Sequence, residues 1–238
     1  MKAMLYEIFL HWKLNVRSKE LLIHYYIVPF LFYVLMSSVF TSIMPDAHIT
    51  LIQSMTVFSV TMGGVLGSPY PLVEFYGSEI KKAYHVGNIP LWTLAAGNFV
   101  SSLVHLFAMS LIIFFTAPLF FDAVIPDSLI GYFLTLLLVI TASLCVGMVF
   151  GLFIKSSSKV GMATQLIFLP SMIMSGIMFP VTMLPDALQT MGKVLPATWG
   201  FAAMCTDHLQ LGDICPLFII TAIAFALSFW KLRKISID

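Results

Sequence analysis

The stretch "LIGYFLTLLLVITASLCVGMVFGLFI", residues 129–154, contains no charged residue over its whole length. About 20 consecutive apolar residues suffice for a helix to cross the hydrocarbon core of a bilayer. The stretch therefore predicts a membrane-spanning helix. Across all 238 residues, 60% are hydrophobic and 10% are charged. Because an ordinary soluble domain carries roughly a quarter charged residues, the whole chain is predicted to be an integral membrane protein.

Further runs of the same kind occur on both sides of this stretch. Together they make six predicted spans, at residues 24–44, 50–69, 91–118, 129–154, 161–180 and 214–231. No small-residue cleavage pattern follows the first run, so we expect it to be retained as a membrane anchor rather than removed as a signal peptide. The predicted fold is therefore all-α, a single transmembrane domain over residues 1–238.

The basic residues predict the orientation of these spans. With a cytosolic N-terminus, the cytosolic pieces are 1–23, 70–90, 155–160 and 231–238. They contain eleven of the twelve basic residues, namely Lys2, Lys13, Arg17, Lys19, Lys81, Lys82, Lys155, Lys159, Lys231, Arg233 and Lys234. Only Lys193 falls outside. Since Lys and Arg concentrate in cytosolic loops, we expect both termini in the cytosol. The net charge of +1 gives no reason to expect nucleic-acid binding.

Residues 3–20 form an amphipathic segment before the first span. One helical face carries the apolar residues Leu5, Ile8, Phe9, Trp12 and Val16. Lys2, Lys13 and Arg17 lie on another face. This pattern predicts a helix that lies in the cytosolic interface of the membrane. A basic flank that serves only to set the orientation is the alternative.

Residues 70–90 make the longest predicted cytosolic loop. Pro71 and Gly87 are typical of the beginning and the end of a helix, and the acidic Glu74 precedes the basic Lys82. A charged helix between two spans is a segment that a cytosolic partner could move. A solvated loop without a partner is the alternative.

A proline-rich segment, "GIMFPVTMLPDALQTMGKVLPATW", residues 176–199, follows the fifth predicted span. Pro185 suits the first position of a helix, and one apolar face repeats through Leu184, Leu188, Met191 and Leu195. The outer segment, residues 181–213, is therefore predicted to contain a short interfacial or re-entrant helix. Irregular backbone at membrane depth needs protein or water to satisfy it.

Several kinds of chemistry have no motif in this sequence. It lacks a GxxxxGK[ST] phosphate loop, an HExxH metal motif and a Gly-x-Ser-x-Gly elbow. We therefore expect no catalytic residue, no metal and no cofactor bound by the chain itself. The polar residues within the predicted spans are Asn98, His105 and Gln165. They either line a substrate path or bridge helices. Cys205 and Cys215 either form a disulfide near the outer face or stay free.

These features resemble the permease subunits of type-two ABC exporters over nearly the whole chain. In that family the fifth span is followed by a Gly, an apolar residue with Pro, Leu-Pro, a short helix and another Pro. The matching residues here are Gly176, Phe179, Pro180, Leu184, Pro185, Leu188, Gln189 and Pro196. The family's coupling segment has acidic residues around a glycine and a later Pro, matched by Glu74, Gly77, Glu79 and Pro90. Phe75 and Tyr76 stand where the family has an arginine beside the first acid.

The resemblance implies an ATPase-coupling interface in the cytosolic loop, made of Glu74, Phe75, Tyr76, Gly77, Ser78, Glu79 and Lys82. It implies an outer gate made of Gly176, Phe179, Pro180, Leu184, Pro185, Leu188 and Pro196. Two permease subunits, identical or related, would pair in the plasma membrane of a prokaryotic cell. Each would dock on a separate cytosolic ATPase, which binds ATP and Mg²⁺. Export of an amphipathic substrate by alternating access is the expected function.

Two other classes of function are alternatives to a permease subunit. An integral-membrane enzyme acting on lipid would need a nucleophile, a metal or an acid pair near the interface, and the sequence offers no such set. A non-transporting membrane scaffold or immunity protein would not depend on an ATPase, whereas a permease subunit would lose its function without one.

Overall fold

A computed structural model describes residues 2–44, 46–78, 80, 84, 86, 87, 89–206 and 211–235, with the backbone alone for 2–7 and 211. The regular structure of this described part is helical. Its helices are α1 (Lys2–Arg17), α2 (Lys19–Ile43), α3 (Ala47–Gly77), α4 (Trp92–Phe121), α5 (Leu129–Phe153), α6 (Ser157–Met174), α7 (Asp186–Gly192), α8 (Pro196–Cys205) and α9 (Leu211–Lys234). A short 3₁₀ turn, Val181–Met183, precedes α7.

Helix α3 forms the centre of the bundle. In the most apolar 18-residue stretch of α3, 89% of the residues are buried inside the protein. The corresponding share is 22% for α2 and 17% for α9. Its buried face includes Ser54, Thr56, Ser59 and Thr61 as well as large apolar side chains. Small and hydroxylated residues let membrane helices approach closely, so α3 can be surrounded by α2, α4, α5, α6 and α8.

Two helices contain a wider π turn, at Ile23–Ile27 in α2 and at Met62–Gly67 in α3. The second lies where α3 crosses α5. A Cβ atom on Gly147 would collide with the carbonyl oxygen of Gly64 and would lie 2.5 Å from Ser68 Oγ. The two backbones therefore touch at this crossing, which requires glycine in α5.

Lys155, Lys231 and Lys234 lie around one pocket at one end of the bundle, and we call this end the basic end. Helix α1, the end of α3 at Gly77, the beginning of α4 and the end of α9 meet there. Leu72 of α3, Ala95 of α4 and Leu152 of α5 share a small core with Leu232 and Ile235. At the opposite end, Val124 N donates to the carbonyl oxygen of His48.

Five helices of the described chain are long and apolar enough to cross a membrane, namely α2, α3, α4, α5 and α9. This finding supports a multi-pass membrane protein. The prediction of a sixth span at 161–180 is not confirmed. Its counterpart α6 begins earlier, with the polar residues Ser157, Ser158 and Lys159, and ends at Met174, six residues before the predicted limit. Nor does the structure confirm the orientation of the termini.

Candidate functional site

The predicted coupling segment is the continuation of α3. We predicted a helix opening at Pro71, but the helical backbone continues from the buried centre through Pro69 to Gly77, where Ser78 becomes extended. Pro69 has no N–H to donate, but the preceding Ser68 donates twice, from N to Gly63 O at 2.9 Å and from Oγ to Gly64 O at 2.6 Å. The segment is thus rigidly connected to the core. Glu79 and Lys82, also predicted here, lie outside the described residues.

Two contacts hold this end of α3 against its neighbours. The buried ring of Phe75 meets the His11 ring of α1 edge-on, with centroids 4.9 Å apart. The Tyr76 hydroxyl donates to the carbonyl oxygen of Leu91, immediately before α4, at 2.7 Å. Glu74 is exposed. The described part of the segment therefore offers the Glu74 carboxylate to the surroundings and is bound to α1 and α4 by its aromatic side chains.

Helix α1 packs along α4 through Asn15 and Trp12. Asn15 Nδ2 donates to Ser101 Oγ at 2.8 Å, and both residues are buried. The Trp12 ring stacks on the His105 ring with centroids 4.2 Å apart. The side chains of Phe9 and Val16 stay exposed. Leu5 lies among the residues whose side chains are not described. The predicted amphipathic helix exists, but its contacts with the protein are made by His11, Trp12 and Asn15, whereas Lys13 and Arg17 of the predicted basic face are exposed.

Of the three polar residues predicted for a substrate path, two are buried in α4 and one is exposed on α6. Asn98 Nδ2 donates to the carbonyl oxygen of Ser68 at 3.1 Å. His105 Nδ1 lies 2.8 Å from the Tyr26 hydroxyl. Both residues are buried in α4, where they bridge it to α3 and α2. Gln165 is exposed on α6, beside an open cavity of about 570 Å³ that Glu20 and Tyr70 also line.

The predicted outer gate begins where α6 ends. Gly176 has φ +89°, a left-handed conformation that favours glycine, and the chain turns there. Of the other predicted residues, Phe179, Pro180 and Pro185 are exposed, Leu184 and Leu188 are half-buried, and Pro196 is buried. The predicted apolar face is only partly covered, since Met191 is 59% exposed.

Hydrogen bonds to backbone carbonyls hold the outer segment together. Gln189 Nε2 donates to Leu184 O at 2.8 Å, Thr198 Oγ1 to Gly192 O at 2.6 Å and Trp199 Nε1 to Lys193 O at 2.6 Å. Gly192 packs so closely on the end of α6 that a Cβ atom would lie 2.8 Å from Met174 O. The segment therefore folds back onto the bundle.

Sequence reasoning missed the second short helix of this segment, α8. Its residues Ala197, Gly200, Ala203 and Met204 are buried, and the helix contacts α3, α5, α6 and α9. The available signal was Pro196 at its first turn, followed by small residues at helical spacing, which is typical of close helix packing.

Within the described part of the chain, no three His, Cys, Asp or Glu residues are grouped as metal ligands would be. Cys145 is a buried free thiol, and Cys205 and Cys215 are exposed free thiols. Of the two interpretations of this last pair, the structure supports free thiols.

Comparison with known proteins supports the resemblance noted from the sequence. No curated protein matches the chain. The family model described as ABC-2 type transporter matches residues 10–206, from α1 through α8. The matched range contains the predicted coupling segment and residues 181–206 of the outer segment. The chain therefore belongs to the ABC-2 type transporter family and is a permease component of a type-two ABC transporter.

Proposed function

We propose that this chain is the membrane-spanning subunit of an ATP-driven exporter in the plasma membrane of a prokaryotic cell. Helix α6 acts as the fifth of six spans, beside α2, α3, α4, α5 and α9, and both termini face the cytosol. Two such subunits, identical or related, pair around a central path. Each docks on a cytosolic ATPase, which binds the ATP and Mg²⁺.

The observation that carries this proposal is the continuity of α3. A single helix runs from the most buried part of the bundle to Gly77 at the basic end. An ATPase that moved residues 70–77 would therefore move the centre of the bundle, because both belong to the same continuous helix. Phe75 and Tyr76 extend this connection to α1 and α4 through the contacts with His11 and Leu91.

Alternating access follows from such a displacement. Closure of the ATPases on ATP moves α3 and α1, which rearranges the helices around the central path. The outer segment then shapes the exit, because its helix α8 packs directly on α3 and α5. A buried helix with two alternative positions is the kind of element through which distant sites become coupled.

The cargo is proposed to be amphipathic. The polar side chains buried among the described residues are uncharged hydroxyls, amides and imidazoles. A buried charge would need a paired partner, so a strongly ionic cargo has no counterpart here. A peptide, a drug or a lipid-like molecule fits such a surface.

Cross-linking tests the coupling interface. A cysteine at Glu74, in a chain whose own cysteines are replaced, should form a cross-link to the ATPase in the assembled complex, and ATP should change its yield. Val194→Cys is the matched control, because Val194 is also exposed but lies in the outer segment. Equal capture at both positions, or none at Glu74 in a transporting complex, would contradict the proposal.

A further inference from the structure

A basic pocket opens between the ends of α3, α5 and α9. Its volume is about 340 Å³, and its lining includes Tyr76 and Gly77 from α3 and Leu152 from α5. Three lysines border it: Lys155, Lys231 and Lys234. None of the three forms a salt bridge with a carboxylate of the described residues. The pocket therefore gathers three positive charges that no described acidic side chain offsets.

The helix ends around the pocket offset only part of this charge. Helices α3, α5 and α9 all end there, at Gly77, Phe153 and Lys234. Each helix C-terminus carries a partial charge of about −0.5, so the three together offset roughly half of the charge of the three lysines. Among the described residues a net positive charge remains, which favours a bound anion.

Aromatic rings place the mouth of the pocket at the membrane surface. Lys234 Nζ lies 4.0 Å from the centre of the Trp230 ring, and Lys231 Nζ lies 5.2 Å from the centre of the Phe153 ring. Both rings are more than 40% exposed on the outside of the bundle. Trp beside Lys at the end of an apolar span is typical of the headgroup region, so lipid headgroups reach the pocket directly.

An apolar stripe on α9 continues from the pocket toward the middle of the membrane. Ile223 and Leu227 are 56% and 43% exposed and precede Trp230 and Lys234 at helical spacing of three to four residues. Acyl chains can lie along this stripe while the phosphate occupies the pocket.

We propose that Lys155, Lys231 and Lys234 bind the phosphate of an anionic phospholipid. Basic pockets between membrane helices on the cytosolic side are suited to such headgroups. The bound headgroup joins α5 and α9 to the end of α3 beside Tyr76 and Gly77. The lipid thereby stabilises the position of the segment whose movement we assign to coupling. The lipid site itself does not depend on an ATPase.

Lipid retention by the isolated chain tests this site. The purified protein, equilibrated with vesicles of equal phosphatidylglycerol and phosphatidylcholine content, is measured for bound lipid by native mass spectrometry. The wild-type chain should retain the anionic lipid preferentially. The triple variant Lys155→Gln, Lys231→Gln, Lys234→Gln should lose about tenfold or more of this preference, because each lysine near a headgroup contributes to binding.

The matched control is the triple variant Lys13→Gln, Lys19→Gln, Lys159→Gln, which removes the same charge from exposed positions at the basic end outside the pocket. It should keep the preference, as should Lys155→Arg, Lys231→Arg, Lys234→Arg, which also controls for folding. If the two glutamine variants lose the preference for the anionic lipid equally, general surface charge explains the binding and the proposed site is overturned. If millimolar inorganic phosphate displaces the lipid, the pocket binds a free anion rather than a phospholipid, which also overturns the proposal.

A third outcome separates a protein partner from a lipid. If the isolated wild-type chain shows no lipid preference, while the pocket variant alone binds the ATPase more weakly, the lysines serve an acidic segment of the partner. That result would overturn the lipid site and leave the proposed function intact. Lipid retention without any ATPase binding would support the site and count against the proposed function.

Discussion

Gly147 determines how closely α3 and α5 pack. The carbonyl oxygen of Gly64, against which a Cβ atom at this position would collide, also accepts a hydrogen bond from Ser68 Oγ at 2.6 Å. Neither atom can move without disturbing the π turn of α3. The position is therefore closed to any side chain.

Gly147→Ala should destabilise the fold by about 1–3 kcal/mol, the range typical of overpacked sites. The midpoint of thermal unfolding of the purified protein in detergent, followed by tryptophan fluorescence, should fall by a few degrees or more. Gly212→Ala is the control, because nothing lies within 4 Å of a Cβ atom there. Similar midpoints for the two variants would show that the helices do not touch at Gly147.

The sequence contains a signal for this crossing that we did not use. Gly147 and Gly151 are four residues apart, and a Cβ atom on Gly151 would lie 2.9 Å from Leu72 Cβ. Such spacing marks a close helix contact in membranes. The identity of the partner helix was not predictable, because glycine spacing carries no information about which helix approaches.

At the scale of elements, α1 shows what an amphipathic pattern can and cannot predict. The pattern predicted the helix and its exposed apolar residues, such as Phe9 and Val16. It did not predict that His11 and Asn15 would be buried against α4. Beside a membrane, the apolar side of a helix can face lipid while polar groups find partners in protein. Burial therefore does not follow hydrophobicity as it does in water.

The hydrogen bond between Asn15 and Ser101 should be measurable in a double-mutant cycle. Asn15→Ala and Ser101→Ala should each destabilise the protein, and the double variant should lose less than the sum, with a coupling of about 0.5–1.5 kcal/mol. Denaturant unfolding in mixed micelles gives the three differences. The pair Ser38→Ala and Ser42→Ala is the control, because Ser38 Oγ donates to the Val34 carbonyl and Ser42 Oγ to the Ser38 carbonyl. Additive losses at Asn15 and Ser101 would mean that α1 is not held by this contact.

The outer segment shows a second limit of sequence reasoning. Pro185 and the leucine spacing predicted one helix, and α7 is there as Asp186–Gly192. Helix α8 was missed because Pro196 was interpreted as a boundary only, whereas it also begins a helix whose small residues pack on α5. Its place in the bundle depends on contacts such as Gly200 with Val139, which lie far apart in sequence.

At the scale of the whole molecule, runs of apolar residues predicted six spans, and five of the corresponding helices in the described chain are long and apolar enough to cross a membrane. The sixth, α6, has the polar residues Ser157, Ser158 and Lys159 in its first turn and stops at Met174, so its apolar length is marginal. Helix α1 and the end of α9 lie at the same basic end, which favours an even number of crossings. We therefore expect α6 to cross as well.

Cysteine labelling on intact cells distinguishes six crossings from five. In a chain without its natural cysteines, Thr182→Cys should react with a membrane-impermeant maleimide added outside, because residue 182 is exposed beyond the end of α6. Ser158→Cys, exposed in the first turn of α6, should react only after permeabilisation. Ile125→Cys, exposed in the loop between α4 and α5, and Glu74→Cys supply the outer and cytosolic references. If Thr182 and Ser158 react from the same side, α6 does not cross, the two termini lie on opposite faces, and the sorting of eleven basic residues to the cytosol no longer holds.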